Sequence, residues 1–147
     1  MYLLDTNIVS LFDVRRREGA GPLVAWMRRN DRALSLSVAS LIEIEAGLLK
    51  LHRDRKDKRA GEIEALRDDL PNDFADRLLA MNAPVALAAA RLAEAVRPAV
   101  VEWEDLIIAA TASAHGLTVL TRNLRHFTPT GVAALDPLAD LPPDATR

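Results

Sequence analysis

Apolar and polar positions alternate along this chain with two different periods. Tyr2-Leu3-Leu4 is a short apolar run that stops on Asp5. An apolar run ended by an acid, then Thr6 and Asn7, predicts a buried strand feeding a short helix over Ile8 to Phe12. Arg15-Arg16-Arg17 and Gly19-Ala20-Gly21 predict a solvated loop, and Pro22 suits the first turn of a helix over Leu23 to Arg29. Leucine alternates with serine over Ala33 to Ser37, which predicts a second strand. Ser37 or Ser40 then caps a helix whose apolar face is Leu41, Ile44, Leu48 and Leu51. That reading puts Glu43 in the helix's first turn.

From His52 to Asp69 charges of both signs crowd together, with one apolar stripe at Ile63, Leu66 and Leu70. Such a stretch predicts a solvated helix laced by ion pairs. Pro71-Asn72-Asp73 reads as a turn and cap, and Phe74, Leu78 and Leu79 as the next helix. Ala83-Pro84 opens another, apolar at Val85, Leu87, Ala88, Leu92 and Val96, with alanines that suit close packing. The acids Glu102, Glu104 and Asp105 stand at the head of an alanine-rich helix that is apolar on nearly every side and ends at Gly116. A helix of that kind is buried. Leu117 to Thr121 is a good buried strand, Leu124 to Phe127 a helical turn, and Gly131 to Leu135 a last short strand. Strands alternating with helices predict a three-layer α/β/α sandwich around a central, mostly parallel sheet. One domain over 1–137 is expected, with a loose tail over 138–147.

Composition narrows the chemistry. The 147 residues suit one core, and at 4% aromatic that core is built from Leu, Val, Ile and Ala. There is no cysteine, which excludes disulfides, thiolate zinc sites and thiol catalysis. Nothing resembles an export signal or a membrane span, so a soluble cytoplasmic protein is expected. The net charge of −2 does not by itself indicate a nucleic-acid ligand.

Three separate strand–helix junctions carry acids: Asp5, Glu43 and Asp105. A fourth, Thr121-Arg122-Asn123, is polar but not acidic. Carboxylates from different junctions of a parallel sheet can meet at its carboxyl edge, where open α/β sheets bind ligands. Packed together they repel, and a divalent cation relieves that. Oxygen-only ligands select a hard ion, magnesium or manganese, and so phosphate chemistry.

Asp5-Thr6-Asn7, Ser40-Leu41-Ile42-Glu43-Ile44-Glu45-Ala46-Gly47, Asp105-Leu106-Ile107-Ile108-Ala109-Ala110-Thr111-Ala112 and His115 to Asn123, followed by His126-Phe127, resemble the PIN domain. Within it they are similar to the VapC and FitB-like ribonuclease toxins of toxin–antitoxin pairs. Each motif alone is weak, but four in this order over nearly the whole chain are specific. The resemblance implies a magnesium-dependent endoribonuclease that cleaves RNA through a metal-activated water, with manganese able to substitute. It implies a homodimer, a cognate antitoxin, and a larger assembly with that antitoxin on operator DNA. Asp5 and Asp105 match the family's metal ligands. Glu43 matches the motif's second acid, which reaches metal directly or through water, and Thr6 and Thr121 match hydroxyls that order a carboxylate or a water. The last matched position, often Asp, is Asn123 here, which favours one metal, or a second held partly by substrate phosphate.

Glu45 is expected to face solvent or an interface. Glu102 and Glu104 remain open as caps or neighbours of the site. Arg122 either holds substrate phosphate or pairs with the carboxylates. His115 and His126 are expected to be structural. The antitoxin groove is placed among the helices between Leu36 and Leu79. Two other functions are weighed. A phosphatase using Asp5 as nucleophile lacks the second acid two residues on, where Asn7 stands. A binding module would keep the fold but lose cutting through Asn123.

Overall fold

The computed structural model describes residues 1–13, 15 and 18–144, so the expectation for Arg16 and Arg17 lies outside the described residues. Five strands form one sheet: β1 (Tyr2–Leu4), β2 (Leu34–Ser37), β3 (Leu78–Leu79), β4 (Thr118–Leu120) and β5 (Ala134–Leu135). Their order is β3-β2-β1-β4-β5, and every pairing is parallel. The helices are α1 (Thr6–Val9), α2 (Gly21–Arg29), α3 (Val38–Arg53), α4 (Asp57–Phe74), α5 (Ala83–Ala95), α6 (Trp103–His115) and α7 (Leu124–Phe127). None of the described helices is long and apolar enough to cross a membrane.

Successive side chains of a strand point to opposite faces of its sheet, and the two central strands build two cores that way. Leu4 and Leu120 join Ile8, Leu23, Trp26, Met27, Leu70 and Phe74 on one face. Leu3 and Val119 join Val85, Ala89, Ile108, Ala109, Ala112 and Phe127 on the other. The α/β/α sandwich expected from the alternation of strands and helices is therefore what forms. α6 is buried along Asp105 to Ala112, and its alanines lie in the same core as Val85 and Ala89 of α5.

The chain runs from β1 outward through β2 to β3, then returns to build β4 and β5 on the other side of β1. The strand order thus reverses between β1 and β4. A crevice opens at the carboxyl ends of two strands where such a reversal occurs. Asp5 lies at the end of β1, and its N–H donates to Leu120 O of β4 at 3.0 Å. Thr121 follows β4 at the same edge.

Several expectations give way. α4 does not stop at Pro71 but passes through it to Phe74. Leu70 and Phe74, four apart and both buried, draw the last turn onto the core. Arg77 then ties off the end: its guanidinium donates to Asp73 O at 2.8 Å and Leu34 O at 2.8 Å, and stacks over the Phe74 ring. Leu78 and Leu79, expected to be helical, form the edge strand β3 beside β2. Phe74, the other residue assigned to that helix, ends α4. The charged stretch is two helices, broken over residues 54–56. Its ion pairs run at i,i+3 and between elements, as in Arg59–Glu62 and Arg67–Glu45. Ser37, not Ser40, caps α3, accepting from Ala39 N at 3.2 Å. The helix therefore starts at Val38, and Glu43 sits beyond its first turn. The tail's last described residue, Asp144, accepts from Asn30 at 2.8 Å.

Candidate active site

Asp5 is 4% exposed and is the N-cap of α1. Three donors hold its carboxylate. Thr6 N–H reaches Oδ1 at 2.7 Å, while Asn7 Nδ2 and the Thr121 hydroxyl reach Oδ2 at 2.7 and 2.6 Å. Burial raises its pKa, the Thr121 bond opposes that, and the negative charge of Asp105 raises it further. Thr121, fully buried, is the hub of this corner. It donates to Asp5 and accepts from Asn123 N–H at 2.9 Å. Asn7 closes the ring, its Oδ1 accepting from Arg122 N–H at 3.1 Å.

Glu43, from α3, enters the same cleft. Its pKa is pushed up to about 7, first by burial and then by the charges of Asp5, Asp105 and Glu104. The Thr6 hydroxyl pulls the other way, and more strongly than any one of those charges pushes. Asp105, in the first turn of α6 and 7% exposed, is the third acid. Its Oδ2 lies 2.9 Å from His126 Nδ1.

The cleft has a volume of about 540 Å³ and two unlike ends. One holds Asp5, Glu43 and Asp105 with Glu102, Glu104, Asn123 and His126 around them. The other is apolar, lined by Ile44, Gly47 and Leu51 of α3 and Ile63 and Leu66 of α4. At that end Arg59 bonds Asp13 at 2.5 Å and Glu62 at 3.1 Å, and Arg15 meets Glu62 at 2.8 Å.

The acids and hydroxyls named from the sequence therefore meet: Asp5, Glu43, Asp105, Thr6 and Asn123 line one cleft, and Thr121 braces it from beneath. Glu102 and Glu104 line it too, and Glu102, at the N-cap position of α6, makes no side-chain capping bond. Arg122 is exposed and joins the site through its backbone. Glu45 turns away to Arg67 at 2.6 Å, and His115 lies at the far end of α6. Two residues had been undervalued. His126, expected to be structural, bonds a site carboxylate. Asn7 braces Asp5, which is itself the cap of α1. The motif Asp5-Thr6-Asn7 was the available signal for Asn7 and His126-Phe127 the one for His126, but neither names the contact made.

The donors here are oxygens on acids that resist ionising side by side, a set suited to a hard cation. Asp5 uses three of roughly four acceptor sites, and Asp105 Oδ1 has no hydrogen-bond partner among the described residues. No closed set of three His, Cys, Asp or Glu ligands stands among the described residues. The fit is therefore to a hydrated ion such as magnesium, which keeps several waters and reaches some ligands through them.

Comparison with known proteins agrees with this geometry. Residues 2–129 match the model of the PIN domain. The plasmid stability protein StbB of Pseudomonas syringae pv. tomato is 31% identical over 93% of this chain and 98% of its own length. The toxin FitB of Neisseria gonorrhoeae is 31% identical over 95% of this chain and 100% of its own. Among solved structures, FitAcB from Neisseria gonorrhoeae superposes with a TM-score of 0.69 at 30% identity, covering 93% of this chain and 98% of that one. FitAB bound to an IR36 DNA fragment gives 0.70 at 28% identity, covering 94% and 96%. With its fold, its acidic cleft and a family match over nearly the whole chain, this protein belongs to the PIN domain family.

Proposed function

We propose that this protein is a magnesium-dependent endoribonuclease and the toxin of a toxin–antitoxin pair. One observation carries the reading: acids from three distant parts of the chain share a cleft, and two of them, Asp5 and Glu43, are held above their ordinary pKa there. A bound magnesium ion would neutralise that cluster and supply a nucleophilic water and charge stabilisation at the phosphodiester. Manganese has the same preference for oxygen and would substitute.

The chain's own residues divide the work. Asp5 and Asp105 hold the ion. Asp5 is already immobilised by Thr6, Asn7 and Thr121, so binding costs it little further order. Glu43 reaches the ion directly or through a water. Asn123 lines the cleft without adding charge, which favours a single ion. The exposed Arg122 side chain, at the rim, takes a phosphate of the RNA.

The relatives support the partners. FitB is named a toxin, and FitAB is solved on DNA. By that likeness this protein would assemble with a partner protein on DNA; the toxin reading makes that partner a cognate antitoxin, the DNA its operator and the place of action the cytoplasm. The apolar end of the cleft, between α3 and α4, is the antitoxin's seat; an amphipathic segment can bury apolar side chains there. A homodimer is favoured by Ile42 and Leu49, seven apart on α3 and both more than half exposed.

A second reading has its own support. A module that binds partners but cuts poorly would fit Asn123 and the absence, among the described residues, of a closed ligand set. One experiment separates the two. Purified protein is assayed on RNA with magnesium and with chelator, beside Asp5→Asn and Asp105→Asn. The ribonuclease reading predicts chelator-sensitive cleavage that each substitution lowers at least about 100-fold. Undiminished metal-dependent cleavage by either variant rejects this site, and no cleavage by the native protein favours the binding module.

A further inference from the structure

We infer that His126 is the positioning residue for Asp105 and, through it, for the divalent cation; the inference rests on the ribonuclease reading above. The two cation-holding aspartates are supported unequally. Asp5 has three donors on its carboxylate. Among the described residues Asp105 has one, His126 Nδ1 at 2.9 Å from Oδ2. That bond pins one oxygen and leaves Oδ1 free to face an ion. Without it the carboxylate turns about its own axis, and Oδ1 has no fixed place.

The imidazole is itself held in place. Phe127, its neighbour, is fully buried against α6 and β4. His126 N–H donates to Asn123 O at 3.0 Å, and the Thr128 and Thr130 hydroxyls bond back to Leu124 O and Phe127 O at 2.9 and 2.6 Å. The short helix α7 is thus closed on itself and anchored in the core, and it delivers the ring to the cleft wall.

The chemistry suits the task. An ionised carboxylate only accepts, so Nδ1 carries the proton in this contact whatever the state of Nε2. An imidazole can orient Asp105 through a single N–H, where a lysine or arginine would set a permanent full charge against the carboxylate. With Asn123 adding no charge, each remaining ligand's orientation counts for more. Groups that orient a metal ligand typically account for about 10- to 100-fold in metal affinity.

The test is manganese binding by calorimetry on the metal-free full chain, with thermal melts beside it. His126→Ala is expected to weaken manganese about 10- to 100-fold with little change in melting temperature. His126→Asn, whose amide N–H falls near Nδ1, recovers most of the loss. His126→Gln, whose amide falls near Nε2, does not, and this pair carries the comparison if the alanine variant fails to fold. Native affinity in His126→Ala or His126→Gln overturns the inference, as does His126→Asn binding no better than His126→Gln. Weakened RNA binding with unchanged manganese affinity overturns it in favour of a substrate contact. A native protein that binds no manganese removes the ribonuclease reading and this inference with it.

Discussion

The behaviour of Glu43 follows from where its carboxyl is put. Burial and three neighbouring acids raise its pKa from 4.5 to about 7. The folded state therefore holds a proton that the unfolded chain has already released. The stability this contributes is full below about pH 4.5 and is lost as pH rises through about 7. Glu43→Gln cannot titrate. In metal-free urea melts its stability relative to the native protein should be clearly greater at pH 8 than at pH 5. An equal difference at both values would show that Glu43 is not perturbed. Asp5 and Asp105 were legible because one ends a strand and the other heads a helix; Glu43, beyond the first turn of α3, was reached through the motif around it. The second role of Asn7 and the contact of His126 were not. The Asn7–Thr121 contact spans 114 residues and Asp105–His126 spans 21, so no local pattern reports either.

Elements with a long, consistent period declared themselves. The leucines of α3 and the apolar, alanine-rich run of α6 were enough to place both helices. The errors fall where tertiary contacts overrule a local signal. Proline removes a backbone donor and normally ends or kinks a helix. In α4 the buried pair Leu70 and Phe74, with Arg77 closing the Asp73 carbonyl and tying it to β2, holds the helix past Pro71. Pro71→Ala should then stabilise the protein by about 1–3 kcal/mol, since an exposed alanine restores the donor without disturbing the core. Unchanged or lowered stability in a chemical melt would mean that the last turn is not a working helix. The two leucines of β3 carry no period of their own. Only the open edge of β2 makes them a strand.

At the scale of the whole molecule, the strand order decides where chemistry can happen. Building outward from β1 in both directions leaves a crevice at β1 and β4, and α3 and α6 then bring Glu43 and Asp105 to the same place as Asp5. Sequence order hides this, because the three acids are spread over a hundred residues. What could be read from the sequence was the type of each junction, and the fold supplied their meeting. The cleft's apolar end extends from the acids along α3 and α4, so a partner seated there would lie against the site it regulates. The most direct test of the account is the anomalous diffraction of manganese in crystals soaked with it. The account predicts one strong peak in the cleft, about 2 Å from a carboxylate oxygen of Asp5 and of Asp105 and within one water of Glu43. No peak there, or one held by other residues, would contradict it.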